Sequence, residues 1–242
     1  MTAVFRREMR GFLATPVGYV FLIMYTLLAG VVTVFINIGQ EMSASVNLTL
    51  SAMQLPFLLI SPLLTMRMFA EERRMRTDQL LLTAPVRVSH IVLGKMLSAM
   101  AMLLLAMGLS ALYPLVLSRW AQISFAESAA AWLGYWLLDV SMLSVGALIS
   151  SLCVNQITAA ILTLGVNVFL YLSETYILPQ MNAAWLRVPG ALLGALPSSR
   201  RLGDFANGII SLSDTVYFLA FTALMLFFTV RVIEGRRHAK GA

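Results

Sequence analysis

Along this chain, long apolar runs without charge alternate with short charged ones. Residues 17–36 carry no charge. As a helix these 20 residues would extend about 30 Å, the thickness of a bilayer's hydrocarbon core. Glu41 and Arg67 are separated by 25 uncharged residues, and Lys95 and Arg119 by 23. The pattern predicts six transmembrane helices, at about 17–38, 53–69, 92–117, 129–152, 157–177 and 214–233. Pro56 and Pro62 fall in the second, which predicts a kink or neighbours that satisfy the carbonyls freed by the missing N–H groups. Ser213 is the expected N-cap of the sixth, with Asp214 in its positively polarised first turn. Asn155 and Gln156 form a short capping turn between the fourth and fifth. The fold class is an all-α polytopic membrane protein, a single domain over 1–242.

Two segments break the pattern. In 1–15, Phe5, Met9, Phe12 and Leu13 recur at helical spacing while Arg6, Arg7 and Arg10 lie off that stripe. This predicts a helix lying in the membrane interface with its bases toward anionic headgroups, ended by Pro16. The apolar run behind it is too long for the core of a signal peptide and lacks a small-residue cleavage site, so an anchor is expected. Segment 178–213 is too apolar for a solvated loop and is broken by Pro179, Pro189, Gly190 and Pro197. Short interfacial or re-entrant helices on the outside fit it, since irregular backbone at membrane depth needs cover from protein.

Composition agrees with this picture. Hydrophobic residues make up 60% of the chain and charged ones 12%, well below the soluble norm of about one quarter. The mean hydropathy is +0.85 and the pI 9.9. The excess base serves topology rather than nucleic acid: 13 Lys and Arg fall on one side of the predicted membrane and four on the other. Both termini are therefore expected in the cytoplasm. The single cysteine, Cys153, rules out an internal disulfide.

Charge is concentrated in one place. Seven of the twelve positions 67–78 are charged (Arg67, Glu71, Glu72, Arg73, Arg74, Arg76 and Asp78) in the predicted cytoplasmic connection between spans two and three. Glu71, Arg74 and Asp78 stand at spacings that let opposite charges support a helix. Leu80, Leu81 and Leu82 follow, closed by Thr83 and Pro85. An apolar ridge beside such charge suits a docking surface, whose core is apolar and rim polar. The alternative is that the leucines dip into the bilayer and the charges mark topology.

The stretch "SPLLTMRMFAEERRMRTDQLLLTAPVRVSHIVLGK" resembles the type-2 ABC transporter permeases, the gliding-motility-type permeases most closely. "REMRGFLATPVGYVF", "NQI" at 155–157 and "DFANGIISLSDTVYF" before the last span extend the resemblance along the chain. It implies a six-helix half-transporter in a bacterial inner membrane, working as an exporter with a second permease copy or a related permease. The connection 70–91 would carry a coupling helix that docks on a separate ATPase subunit. That assigns coupling to Glu71, Glu72, Arg73, Arg74, Thr77, Leu80, Leu81 and Leu82. Relatives usually show glycine, threonine and, two residues on, glutamate where this chain has Arg76, Thr77 and Gln79. The resemblance also implies that spans one, two and five line the pathway, which points at Asn37, Thr65 and Asn167.

The chain has no GxxxxGK[ST] phosphate loop; "VLGK" has Ser89 and Met96 where glycine and a hydroxyl residue belong. ATP and Mg are therefore expected in the partner ATPase, with no catalytic residue, cofactor or metal in this chain. Asp139, in the middle of span four, is either a proton or cation site or an interhelical hydrogen-bond partner. Besides the exporter, a mechanotransducer driving a periplasmic protein fits the same features, with 178–213 gripping the partner. A channel or secondary transporter needing no ATPase fits less well, given the coupling-like block and the lack of paired intramembrane charges.

Overall fold

The computed structural model describes residues 1–38, 46–77, 87–119, 124–173 and 199–241, with 37, 38 and 238–241 described by backbone alone. Every regular element among them is helical. Four helices are long and apolar enough to cross a membrane: Pro16–Ile36, Val88–Leu117, Phe125–Leu152 and Leu212–Arg237. Val46–Ile60 and Gln156–Leu172 are shorter apolar helices.

The chain begins with α1 (Thr2–Ala14), which ends where expected. Thr15 is extended at φ −106° and ψ 149°, and Pro16 opens α2 (Pro16–Thr33), which runs into a π-helical turn, Val34–Ile38. The apolar stripe of α1, expected in the membrane interface, packs in part against protein, with Leu13 left exposed. Phe12 is buried, and a Cβ on Gly94 of α6 (Val88–Ser110) would lie 2.9 Å from the Val4 Cβ. Arg6 and Arg10 remain exposed.

The next helix, α3 (Val46–Ile60), starts seven residues before the expected position 53. Its first turns are diluted by polar residues that return to the backbone; the Ser51 hydroxyl donates to Leu48 O at 2.9 Å. Pro56 sits inside α3, and the helix restarts after Ser61 as α4 (Pro62–Thr65). Pro62 has no N–H for the Leu58 carbonyl, and the Ser61 hydroxyl donates to that oxygen instead, at 3.1 Å. The expected irregularity is thus a repaired break. A single helical turn, α5 (Ala70–Arg74), follows.

After α6 come α7 (Leu112–Leu117), α8 (Phe125–Leu152) and α9 (Gln156–Leu172). Asn155 caps α9, its Oδ1 accepting from Ile157 N at 3.2 Å. Helix α8 is the axis of the bundle. Of its most apolar stretch 78% is buried, against 22% to 28% in the other three long helices. Helices α3, α6, α9 and α11 (Leu212–Gly241) surround it. The core runs through Phe21, Tyr25, Phe57, Leu58, Leu103, Leu138, Leu143 and Phe218. The Tyr25 and Phe57 rings meet edge to face at 6.4 Å.

Of segment 178–213, residues 178–198 lie outside the described residues. The remainder begins with a 3₁₀ turn, Ser199–Leu202, and α10 (Gly203–Ala206). Leu202 and Phe205 pack so closely on α8 that a Cβ at Gly134 would lie 2.7 Å from the Phe205 ring. Helix α11 starts two residues earlier than expected, and its cap is Ser211 rather than Ser213: the Ser211 hydroxyl accepts from Asp214 N at 3.4 Å.

Candidate functional site

The charged block folds back onto its own chain. Arg67 makes a two-bond pair with Glu71, Nε to Oε2 at 2.6 Å and Nη2 to Oε1 at 3.1 Å, and donates through Nη1 to the Thr15 hydroxyl at 3.0 Å. Glu71 is thus held by the arginine four residues before it, where the sequence suggested Arg74. Arg73 donates through Nη1 to the carbonyls of Leu152 and Cys153, both at 3.0 Å. These are the open acceptors at the C-terminus of α8, where a cation is favoured. From α8, the Ser150 hydroxyl accepts the N–H groups of Phe69 (3.2 Å) and Ala70 (3.3 Å), capping α5 from another helix.

Glu72 meets a partner that the sequence reading counted only as a topological base. Lys95, two turns into α6, has a side chain 2% exposed. Its ammonium donates to Glu72 Oε1 at 2.9 Å and to Glu8 Oε1 at 3.2 Å. Arg7 Nη2 bridges the same two oxygens, at 2.8 Å and 2.6 Å. Burial alone would push the Glu8 carboxyl up; the Lys95 ammonium, with the Arg7 guanidinium, outweighs it and holds the carboxyl below its ordinary value. The Phe69 ring lies 5.5 Å from the ammonium.

Beyond these anchors α5 turns outward. Arg74, Met75, Arg76 and Thr77 are exposed. The helix closes with Thr77 N bonded to Glu72 O at 2.9 Å and Arg76 N to Arg73 O at 3.2 Å, the paired bonds of a Schellman cap. That cap puts Arg76 at φ 56°, a left-handed conformation that favours glycine, the residue the resemblance led one to expect there. Arg76→Gly is therefore expected to stabilise the turn by about 1 kcal/mol, read as slower amide hydrogen exchange over 74–77. Leu80, Leu81 and Leu82 lie outside the described residues.

The pathway candidates fall elsewhere. Thr65 on α4 and Asn167 on α9 are both fully buried and meet around Ser61, whose hydroxyl accepts from Asn167 Nδ2 at 3.4 Å. Thr163, one turn from Asn167, packs with Thr65 against Gly146 of α8. The Thr163 hydroxyl and the Asn167 Oδ1 are buried with no hydrogen-bond partner among the described residues. Asn37 lies in the π-helical turn, its side chain outside the described residues. Asp139 is buried on α8, with no hydrogen bond or ion pair to another described residue. Toward the opposite end of the bundle from α1, a cleft of about 510 Å³ is lined by Ile36, Ser51, Gln54, Tyr135, Tyr171 and Ser199 among others, none of them charged. Among the described residues no cluster of His, Cys, Asp and Glu is suited to a metal ion.

Compared with known proteins, residues 24–193 match the model of the ABC-2 family transporter proteins. No curated protein matches the chain. Helices α1 and α11 lie outside the matched residues. With most of its length covered, from α2 past α9, this multi-pass membrane protein belongs to the ABC-2 transporter family, whose members are the permease components of ABC transporters.

Proposed function

We propose that this chain is the permease subunit of an ATP-driven exporter, with 70–91 as the element that receives motion from a separate ATPase subunit. It would sit in a bacterial inner membrane with both termini in the cytoplasm, pair with a second permease, and be of the gliding-motility type within its family. The single observation that carries the reading is the anchoring of α5. A helix of five residues is bonded to α1, α6 and the end of α8, while its tip, 74–77, faces out with two arginines and Met75, 68% exposed. A mere topological marker needs no such bonds, whereas a docking element needs a rigid base and a free tip.

Six crossings are compatible with the observed helices. Helices α3 and α4 continue from Val46 to Thr65, 20 residues and about 30 Å long, and α9 has 17, near the lower limit for a span. Thr65 and Asn167 are then seam residues between the second and fifth spans, closed in this form.

Reversing the tip charge tests the docking reading. With Arg74→Glu and Arg76→Glu together, the permease is expected to reach the membrane and keep its thermal unfolding midpoint, since neither side chain is bonded inward. Stoichiometric co-purification of the ATPase subunit is expected to be lost. An ATPase retained at full yield by this variant would refute α5 as the docking element, and a wild-type chain that purifies without any ATPase would refute the whole reading.

A further inference from the structure

The four charges around Lys95 form a closed ring in which sign alternates. Lys95 touches Glu8 and Glu72, and Arg7 touches the same two carboxylates, every contact between 2.6 and 3.2 Å. The ring is neutral, and its members come from three elements: Arg7 and Glu8 from α1, Glu72 from α5, Lys95 from α6. The Lys95 side chain is 2% exposed and the Arg7 side chain 54%, so the ring is sealed on the α6 side and open on the α1 side. An ammonium buried this deeply is tolerated only while its carboxylates stay in contact, because separation leaves an uncompensated charge away from water. Next to it, Gly94 of α6 lies against Val4 of α1, so closely that a Cβ on Gly94 would be 2.9 Å from the Val4 Cβ.

We infer that Lys95 is a positioning residue whose ion pairs join α1, α5 and the first turns of α6 into one moving body. The inference rests on the reading of α5 as the element that the ATPase displaces. A displacement of α5 passes along the chain to α4 and, through Glu72 and Lys95, sideways to α6 and α1. Helix α1 is then part of the transmission rather than a passive float on the membrane, although it lies outside the residues matched to the family.

The test uses the complex with the ATPase that co-purifies with the chain, reconstituted in lipid nanodiscs, and reads the change in ATP hydrolysis that the permease imposes on its partner. Compared at equal amounts of bound ATPase, Lys95→Met is expected to diminish the permease-dependent part of the rate by roughly tenfold or more. Reversing all four signs, Arg7→Glu, Glu8→Arg, Glu72→Lys and Lys95→Glu, restores an alternating ring, and this fourfold swap is expected to recover most of that rate. A second arm needs no change in charge. In a Cys153→Ser background, Val4→Cys and Gly94→Cys bring two Cβ atoms to 2.9 Å, about 1 Å inside the usual disulfide spacing, so a small parting of the helices admits the bond, and oxidation is expected to leave the rate unchanged, because α1 and α6 already move together. The proposal falls if Lys95→Met hydrolyses ATP like the wild type, if the swap fails to recover the rate, or if the oxidised disulfide stops turnover. Should Lys95→Met fail to fold, the disulfide arm decides. A wild-type chain that binds no ATPase is seen before any substitution is made, and overturns the reading of α5 and this inference with it.

Discussion

Gly18→Ala should be the most destabilising single methyl addition in the described residues. A Cβ at Gly18 would collide with the carbonyl oxygen of Phe12 and lie 2.8 Å from its carbon, whereas the next closest approaches, at Gly134 and Gly146, are 2.7 Å and involve side chains. A side chain can rotate away, but a carbonyl at the end of α1 can move only with the helix. Phe12 is also the buried residue of α1 and its main apolar anchor. The substitution therefore has to lift the last turn of α1 off α2, at a cost of about 3 kcal/mol, the upper part of the usual range for overpacking. The check is the thermal unfolding midpoint in nanodiscs, with Gly11→Ala, where a Cβ meets nothing within 4 Å, as the control. Equal midpoints for the two variants would show that α1 does not hold this position. If it does, Gly18→Ala also strains the Lys95 ring, since Arg7 and Glu8 lie one to two turns before Phe12.

Much of the architecture was legible because a bilayer imposes length and apolarity on each helix. The uncharged runs located the helices, and the Thr15–Pro16 junction and the Asn155 cap came directly from local chemistry. The errors share a cause: a property was read along the sequence when its explanation lay across the bundle. The α1 stripe suggests a helix resting in the membrane interface, yet much of it packs against α6, 80 or more residues away. Lys95 was counted as a flanking base because it precedes a long uncharged run. Its phase carried more information: Val88, Ile91, Val92 and Ala99, all buried, recur at helical spacing, and Lys95 sits in the same stripe. Glu8 likewise falls between Phe5 and Phe12 on the packed face of α1. A charge on a buried stripe implies a partner of opposite sign, and the two stripes supply one another. Only the pairing of α1 with α6 was beyond reach, since nothing local specifies it.

The cap that α8 gives to α5 has the same character, and Ser150→Ala should expose it. A five-residue helix is far below the length at which helices persist alone, so tertiary bonds must hold α5. Its N-cap residue, Phe69, offers no side-chain hydrogen bond, and the N–H groups of Phe69 and Ala70 are received by the Ser150 hydroxyl instead. Ser150 and Ala70 are fully buried, which excludes water as a substitute acceptor. Alanine at 150 leaves two buried donors unsatisfied, at about 1 kcal/mol or more each, for a total of about 2 to 3 kcal/mol. The loss should be local, since the Arg73 and Lys95 anchors are untouched. Amide exchange over 69–74 is expected to accelerate by roughly thirtyfold or more, while exchange within α8 stays as in the wild type. Ser150→Thr keeps the hydroxyl and separates hydrogen bonding from volume: slow exchange should return with it. If α5 is the ATPase contact, Ser150→Ala should also weaken ATPase co-purification without altering any residue of the contact itself. A rigid tip presents its arginines in one geometry, whereas a frayed one must be ordered on binding, and that ordering reduces affinity. Unchanged exchange over 69–74 in Ser150→Ala would mean that the turn is held by its charges alone.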